Sequence, residues 1–175
     1  MISRILIAAA LSVLFLSHAV GQDQPDLDRL DEKFRHQLEG RLPGWKHERG
    51  EAMQGSTNVL IQYWSFENRR IKIAIIPQKS AQEAREKMQL VAKDMRDAKE
   101  LKGFGDEAYS WGYAESNVVL RRGRFAVFVS TYAEVESDPD ARMLSRPERG
   151  ERERSEMKRL SKEFAKHMAN AIDAP

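Results

Sequence analysis

The stretch at residues 80–113, SAQEAREKMQLVAKDMRDAKELKGFGDEAYSWGY, constrains the fold more than any other part of the chain. Ser80 and Glu83 have the spacing of a capping box, in which each side chain bonds to the other residue's backbone N–H. Apolar residues then recur at steps of four and three, as on one face of a helix; they are Ala84, Met88, Val91, Met95 and Ala98. We expect Gly103 to end this helix in the left-handed conformation. Alternating small and aromatic residues at 108–113 predict a strand.

The first residues have the pattern of a secretory signal. Arg4 precedes an apolar run at residues 5–16, and small residues at 19–21 predict cleavage before Gln22. The run is shorter than the roughly 20 apolar residues of a membrane span, although an uncleaved anchor helix is the alternative. Removing residues 1–21 leaves 154 of the 175 residues, which suits one domain at 22–175. We therefore predict a soluble exported protein, periplasmic or extracellular, with no stable membrane anchor after cleavage.

Composition narrows the classes of partner. The chain contains no cysteine, which excludes disulfides, thiolate metal sites and a lipid-modified cysteine, and favours a bacterial product. Of the 29 Lys and Arg residues the signal removes Arg4, which leaves 28 basic against 27 acidic side chains. Such a balance gives no overall electrostatic attraction to nucleic acid or to an anionic membrane. We therefore expect a protein or a small ligand as the partner, and no nucleic acid.

Two β-hairpin patterns flank the central stretch. Residues 59–66 and 70–76 form one, and residues 118–121 and 124–132 form the other, joined through Arg122-Gly123. Amphipathic helices are predicted at 23–39 and 147–172, and an edge strand is weakly indicated within 45–53. Hairpins imply an antiparallel sheet, and strands that are apolar on both faces imply helices on both sides of it. We predict an α+β fold of five to six strands, in the order α-β-β-α-β-β-β-α.

The segment KGFGDEAY at residues 102–109 precedes a hairpin and a C-terminal helix. It resembles the turn of small exported domains of Mog1/PsbP-like type, and the order of elements over 43–172 is similar too. The resemblance implies an antiparallel sheet lying between helices. It implies no catalytic residues, because the functions in that group are diverse and mostly non-catalytic. Lipoprotein members carry a cysteine that this chain lacks, so membrane anchoring is not implied.

Few residues have a spacing that points to chemistry. Asp106 and Glu107 are adjacent carboxylates, but neighbours in an extended segment point to opposite faces, so we expect Asp106 to fix a turn together with Gly103 and Gly105. The chain has neither a cysteine nucleophile nor a G-x-S-x-G elbow. Glu163 and His167, four residues apart on a predicted helix, could share a metal, although an ion pair at a helix end is the interpretation we prefer. We expect no metal, no cofactor and no catalytic residue.

Two groups of residues are candidates for recognition. Aromatic side chains on the predicted strands would line a ligand or partner surface if one sheet face were uncovered, and would be core if helices covered both faces, as we expect. The arginines at the second hairpin turn could bind an anionic group or could simply be solvated. The candidate surface comprises Tyr63, Trp64, Trp111, Tyr113, Tyr132, Arg121, Arg122 and Arg124.

The pattern as a whole favours a non-catalytic domain that binds a partner or a ligand. One alternative is a metal-dependent or hydrolase-type enzyme, whose cleft would gather Asp106 or Glu107 with His47 or His167. Another is an accessory subunit that docks through the charged start of the last helix, PERGERERSEMKR at residues 147–159. Because charges of both signs alternate there, we expect its first two turns to stand in solvent.

Overall fold

The computed structural model describes residues 27–52, 58–135 and 138–173, so the predicted signal at 1–21 lies outside the described residues. Three helices are described: α1 (Leu27–Glu39), α2 (Ala81–Asp94) and α3 (Arg146–Asp173). Seven strands accompany them: β1 (Lys46–Gly50), β2 (Leu60–Phe66), β3 (Arg69–Pro77), β4 (Lys99–Glu100), β5 (Glu107–Trp111), β6 (Asn117–Arg122) and β7 (Phe125–Ala133). Short 3₁₀ turns occupy Tyr113–Glu115 and Pro139–Met143. Within the described ranges no helix is both long and apolar enough to cross a bilayer.

All seven strands form one antiparallel sheet in the order β1-β2-β3-β7-β6-β5-β4. The two predicted hairpins, β2–β3 and β6–β7, are joined side by side by the pairing of β3 with β7, from Arg69 opposite Ala133 to Pro77 opposite Phe125. The fold class is α+β, as predicted. The weakly indicated strand within 45–53 is present as β1 at one edge, and the strand count exceeds six because the two-residue β4, which the sequence did not indicate, forms the other edge.

Helices α1 and α3 pack together on one face of the sheet. Helix α3 contacts β6 and β7, and α1 contacts α3 and β2. The largest fully buried side chains between them include Phe34, Leu38, Trp64, Leu160, Phe164 and Met168. The Trp45 ring meets Phe164 edge-on with ring centroids 4.9 Å apart, which closes this core at its β1 end. Burial of each such side chain stabilises the fold by about 1.5–3 kcal/mol.

Helix α2 packs against β6 and β7 on the opposite face, and it buries Ala84 and Met88. One half of the predicted capping box is confirmed, since Ser80 Oγ accepts the N–H of Glu83 at 3.1 Å. The other half is wrong, since the Glu83 carboxylate accepts the N–H of Lys79 instead of that of Ser80, at 3.0 Å.

The predicted end of α2 at Gly103 is also wrong. The helix stops at Asp94, and after Asp97, which has a φ of 59°, the chain enters β4 and pairs with β5. Pairing at the sheet edge therefore replaces two further helical turns. Gly103, with a φ of 81°, lies in the turn between β4 and β5.

Candidate functional site

One half of the sheet face that carries α2 is not covered by any described helix. A cross-strand row on this face passes over six neighbouring strands, and all of its side chains are exposed or half-exposed. A second row, nearer the sheet end, is similar. We call the two rows the open face; they comprise Glu48, Tyr63, Lys72, Ser130, Asn117 and Trp111, then Ser65, Arg70 and Tyr132. Because β3 and β7 are neighbouring interior strands, their side chains are exposed within the sheet face and not merely at a sheet edge.

The open face ends where α2 begins to cover the sheet. The next cross-strand row runs through Ile61, Ala74, Phe128 and Val119, and three of these four side chains are buried. Phe128, the fourth, is half-buried and packs against the small apolar cluster of Val59, Ile61, Ala74 and Ile76. Helix α2 has 14 residues, about 21 Å of axis, which is too short to cover the whole face of a seven-stranded sheet.

The open face combines aromatic rings with hydrogen-bonding groups. Tyr63 is 40% exposed and Tyr132 is 55% exposed. The Lys72 ammonium lies 5.9 Å from the centre of the Tyr63 ring, within the range of a cation–π contact. Ser130 Oγ donates to Asn117 Oδ1 at 2.8 Å. Partial burial and the carboxylate of Glu134, which accepts from the Tyr132 hydroxyl, raise the pKa of Tyr132. Such groups stack and hydrogen-bond, and none of them is a nucleophile held beside a base.

The structure divides the predicted aromatic set among three places. Tyr63, Trp111 and Tyr132 lie on the open face, and the expectation that the aromatic residues are core is wrong for Tyr63, Tyr132 and Tyr113. Trp64 is fully buried under α1 and α3, so it is core, as we expected, and does not belong to the candidate surface. Neighbouring strand residues point to opposite faces, and the described helices cover only the face of β2 that carries Trp64. Tyr113, 65% exposed, lies in a 3₁₀ turn beside α3, where its hydroxyl accepts from Arg154 Nη1 at 3.2 Å.

The carboxylate of Asp106 engages the basic hairpin tip. Asp106 accepts from Arg121 Nη1 and Arg122 Nη1, each at 2.8 Å, and from the N–H of Gly123 at 2.8 Å. Although partial burial opposes the shift, these bonds lower the pKa of Asp106. Asp106 thus fixes the β6–β7 turn on the neighbouring strands. We expected it to fix the turn in its own segment instead. The Arg124 guanidinium lies 5.6 Å from the Phe125 ring. The geometry favours a structural clamp over an open anion site.

A buried polar cluster joins α1 to the β1 edge, and the sequence analysis missed it. Gln62 Nε2 donates to Asp31 Oδ1 at 2.6 Å, and Trp64 Nε1 donates to Gln62 Oε1 at 3.4 Å. His47 Nε2 lies 3.5 Å from the same Asp31 oxygen, and its side chain is only 8% exposed. Asp31 lies among the apolar positions of α1, and Gln62 lies on the same face of β2 as Leu60 and Trp64. Polar residues at inward-facing positions were the signal in the sequence that could have revealed this cluster.

We expect the pKa of His47 to lie below its usual value of 6.5, because burial disfavours the imidazolium while Asp31 opposes the shift. Asp31→Asn removes the opposing charge and should lower the pKa of His47 further. Titration of the imidazole C–H resonances by NMR measures both values, with exposed His36 as the internal comparison. A higher pKa of His47 in the Asp31→Asn protein would contradict this account. The neutral imidazole stabilises the fold above pH 6.5, and that contribution declines as the pH falls through 6.5 and below.

The described residues do not assemble the cleft of the enzyme alternative. Among them no group of three or more His, Asp or Glu side chains could hold a metal ion. Glu163 contacts Arg159, and its other oxygen lies 3.9 Å from His167 Nε2. Because burial lowers the pKa of His167, the imidazole is mostly neutral at pH 7, so the ion pair with a protonated histidine that we preferred is not supported. Asp106 belongs to the hairpin clamp, and His47 belongs to the α1 cluster.

The charged start of α3 is partly tied to the body of the protein. Arg69 donates to Glu156 at 2.9 Å and to Asp138 at 3.1 Å, and the Glu153 carboxylate accepts the N–H of Val135 at 3.3 Å. Residues 146–148 are exposed, but residues 152–154 are half-buried. The expectation that the first two turns stand in solvent is therefore wrong for the second turn, because the loop after β7 supplies partners: Asp138 for Arg152 and the N–H of Val135 for Glu153.

Acid should remove a measurable part of the stability through Glu156. Bonds from Arg159 and Arg69 outweigh burial and hold the pKa of Glu156 at about 2. A lowered carboxyl pKa stabilises the fold above about pH 4.5, and that contribution declines as the pH falls towards 2. We expect Glu156→Gln to cost about 1–2 kcal/mol at pH 7, after allowing for solvent screening, and much less at pH 3. Urea unfolding at both pH values measures this, with exposed Glu32→Gln as the control; an equal loss at both would contradict the assignment.

Comparison of the chain with protein-family models, with curated proteins and with solved structures finds no match. The functional interpretation therefore depends on the geometry of the described residues, above all on the open face.

Proposed function

We propose that the protein is an exported, non-catalytic binding domain whose open face receives a partner or ligand. One observation carries the proposal: Arg70 and Tyr132, on the two middle strands of the sheet, are exposed on that face. Antiparallel sheets can leave one face in solvent, so the support comes from the aromatic rings exposed together on that face, which are a feature of recognition surfaces. Tyrosine is also enriched where proteins contact their partners, because its ring and hydroxyl serve apolar and polar contacts together.

The chemistry of the open face favours a polar ligand with some flat apolar surface. Tyr63 and Tyr132 are separated by two strand spacings and two residues, roughly 12 Å. Lys72 and Ser130 lie between them as hydrogen-bonding groups. An extended peptide or a chain of sugar units offers groups at this repeat, whereas a purely apolar ligand would leave these polar side chains without partners.

Two further parts of the proposal, export and a relationship to Mog1/PsbP-like domains, are supported by the sequence. Export rests on Arg4 and the apolar run at 5–16, and a relationship to Mog1/PsbP-like domains rests on the segment at 102–109 and on the order of elements. We expect the protein recovered from a secreting bacterial host to begin at Gln22, because small residues precede that position. Intact-mass measurement tests this, and a cell-associated protein that retains residues 1–21 would contradict it.

Site-specific photo-crosslinking tests the binding proposal. A benzoylphenylalanine in place of Tyr132 reports on the open face, and one in place of exposed Asn170 on α3 is the matched control. Each protein is irradiated with envelope extract and culture medium of the source organism, and adduct masses are measured. We expect a discrete adduct at position 132 and none of equal mass at position 170.

Competition makes the crosslinking result decisive. Excess unlabelled wild-type protein should suppress the adduct at position 132, whereas excess Tyr63→Ala/Tyr132→Ala protein should not. Both competitors must first be shown to be folded by circular dichroism. The proposal is wrong if no adduct forms at position 132, if both positions give the same adduct, or if both competitors suppress it equally.

A further inference from the structure

Helix α3 presents a row of four cations, spaced four residues apart, at Arg154, Lys158, Lys162 and Lys166. Each step of four residues advances about 6 Å along a helix and turns by about 40°, so the row winds over about a third of the helix circumference along roughly 18 Å. The side chains of Arg154, Lys158 and Lys162 are 42%, 49% and 32% exposed, and Lys166 is exposed. Together with Lys99 of β4, these residues form what we call the basic row.

One carboxylate faces three cations of the row. Glu115 Oε1 lies 3.0 Å from the Nζ atoms of both Lys99 and Lys158, and its Oε2 lies 3.1 Å from Lys162 Nζ. Lys99 and Lys158 therefore have their ammonium groups at most 6.0 Å apart. The bond from Lys158 leads those that hold the pKa of Glu115 at about 2, so this carboxylate stays ionised. Three like charges gathered on a single counter-ion leave an excess of positive charge.

Backbone geometry fixes Glu115 in this position. Ala114 and Glu115 both have left-handed backbone, with φ values of 57° and 52°, which non-glycine residues rarely adopt. The Glu115 carbonyl accepts from Ser161 Oγ of α3 at 2.8 Å. The arrangement of the three lysines is therefore set by a rigid contact between the 3₁₀ turn and α3, and it does not depend on flexible side chains alone.

The basic row keeps a net positive charge after its own ion pairs are counted. Within the described residues, the carboxylates that pair with its five cations are Glu115 and Glu151, the latter with Arg154, and Lys166 makes no ion pair there. Three positive charges remain on one side of a chain that is close to neutral overall. Such local asymmetry attracts anions although the net charge does not.

We propose that the basic row binds a flexible linear polyanion bearing phosphate groups. Four of the five cations follow one another along α3, which fits a chain. Four of the five are lysines. Their compact ammonium groups bind phosphate as point charges and do not require the bidentate geometry of an arginine contact. Among the described residues Tyr113 is the only exposed aromatic residue that contacts the row, so those residues form no stacking platform of the kind that single-stranded nucleic acids use.

Inorganic polyphosphate of defined length is the probe, and its dissociation constant is measured at several salt concentrations by fluorescence polarisation. If about four contacts form, the logarithm of the association constant should fall with the logarithm of salt at a slope of about −3. Lys158→Gln/Lys166→Gln should weaken binding about tenfold and flatten the slope by about 1.4. The matched control is Arg85→Gln/Lys93→Gln, which removes two exposed cations from α2 on the other side of the sheet and should leave both values unchanged.

Glu115→Gln separates binding from a merely structural role. Removing this carboxylate raises the local charge by one, so it should strengthen polyphosphate binding several-fold even while it lowers stability. Weaker binding by a folded Glu115→Gln protein would overturn the proposal, as would equal effects of the two double variants or no binding at low salt. Binding to single-stranded DNA or to anionic vesicles in preference to polyphosphate would also overturn it. A negative result here would not affect the proposal that the open face binds a partner, because the basic row lies on α3, on the opposite side of the sheet.

Discussion

Replacing Gly105 with alanine is expected to destabilise the protein by about 3–5 kcal/mol. The residue has a φ of 81°, which costs alanine about 1–2 kcal/mol, and its added Cβ would lie 2.5 Å from the backbone carbonyl oxygen of Arg121. A backbone atom cannot move aside as a flexible side chain can, so the strand pair β5–β6 must shift and the Asp106 clamp must weaken. Chemical denaturation at pH 7 measures the loss.

Gly103 provides the matched control for this prediction. It has the same φ of 81°, but a Cβ there would meet no atom within 4 Å. Gly103→Ala should therefore cost about 1 kcal/mol, the backbone cost alone. Similar losses at the two positions would contradict the claim that close approach of Arg121, and not backbone conformation, is what requires glycine at position 105.

Adjacent residues of β2 should differ sharply when truncated. Trp64→Ala is expected to cost about 3–5 kcal/mol, because the side chain is fully buried between α1, α3 and the sheet. Tyr63→Ala should cost less than about 1 kcal/mol, because the ring is 40% exposed. The binding measured by crosslinking should respond in the opposite order: Tyr63→Ala should abolish it in a folded protein.

The pair Trp64→Phe and Tyr63→Phe refines that comparison. Trp64→Phe keeps an aromatic ring in the core, so it should recover more than half of the loss in unfolding free energy and should leave crosslinking at position 132 intact. Tyr63→Phe keeps the ring and loses the hydroxyl, so any remaining binding reports on stacking alone. A large stability loss from Tyr63→Ala would show that the open face is core, which would contradict the account.

Local signals in the sequence predicted the elements, whereas contacts between distant residues decided where they end. Ser80 caps α2 through a bond to Glu83, three residues away, so the helix start was predictable. The end at Asp94 depends on β4 pairing with β5, from Lys99 to Ser110, and a two-residue strand has no pattern of its own. The hairpins were predictable for the same local reason, but their union through β3 and β7 was not.

The candidate site was predictable in part. Strand alternation separates Tyr63 from Trp64, but it does not tell which face a helix covers, because that depends on the length and position of α2. The basic row can be found at four-residue spacing in the sequence, yet its counter-ion Glu115 lies more than forty residues away from Lys158. The Asp31–Gln62–His47 cluster joins three elements, and only the polar character of inward positions pointed to it.

Hydroxyl-radical footprinting tests the central claim, that the open face is an uncovered binding surface, most directly. In the purified protein Tyr63, Tyr132 and Tyr113 should be oxidised rapidly and Trp64 slowly. With the extract that yields the crosslink, Tyr63 and Tyr132 should become protected while Tyr113 stays reactive. Protection of Tyr63 and Tyr132 in the purified monomer would mean that the face is covered, and protection of Tyr113 instead would place the ligand elsewhere; either result would contradict the account.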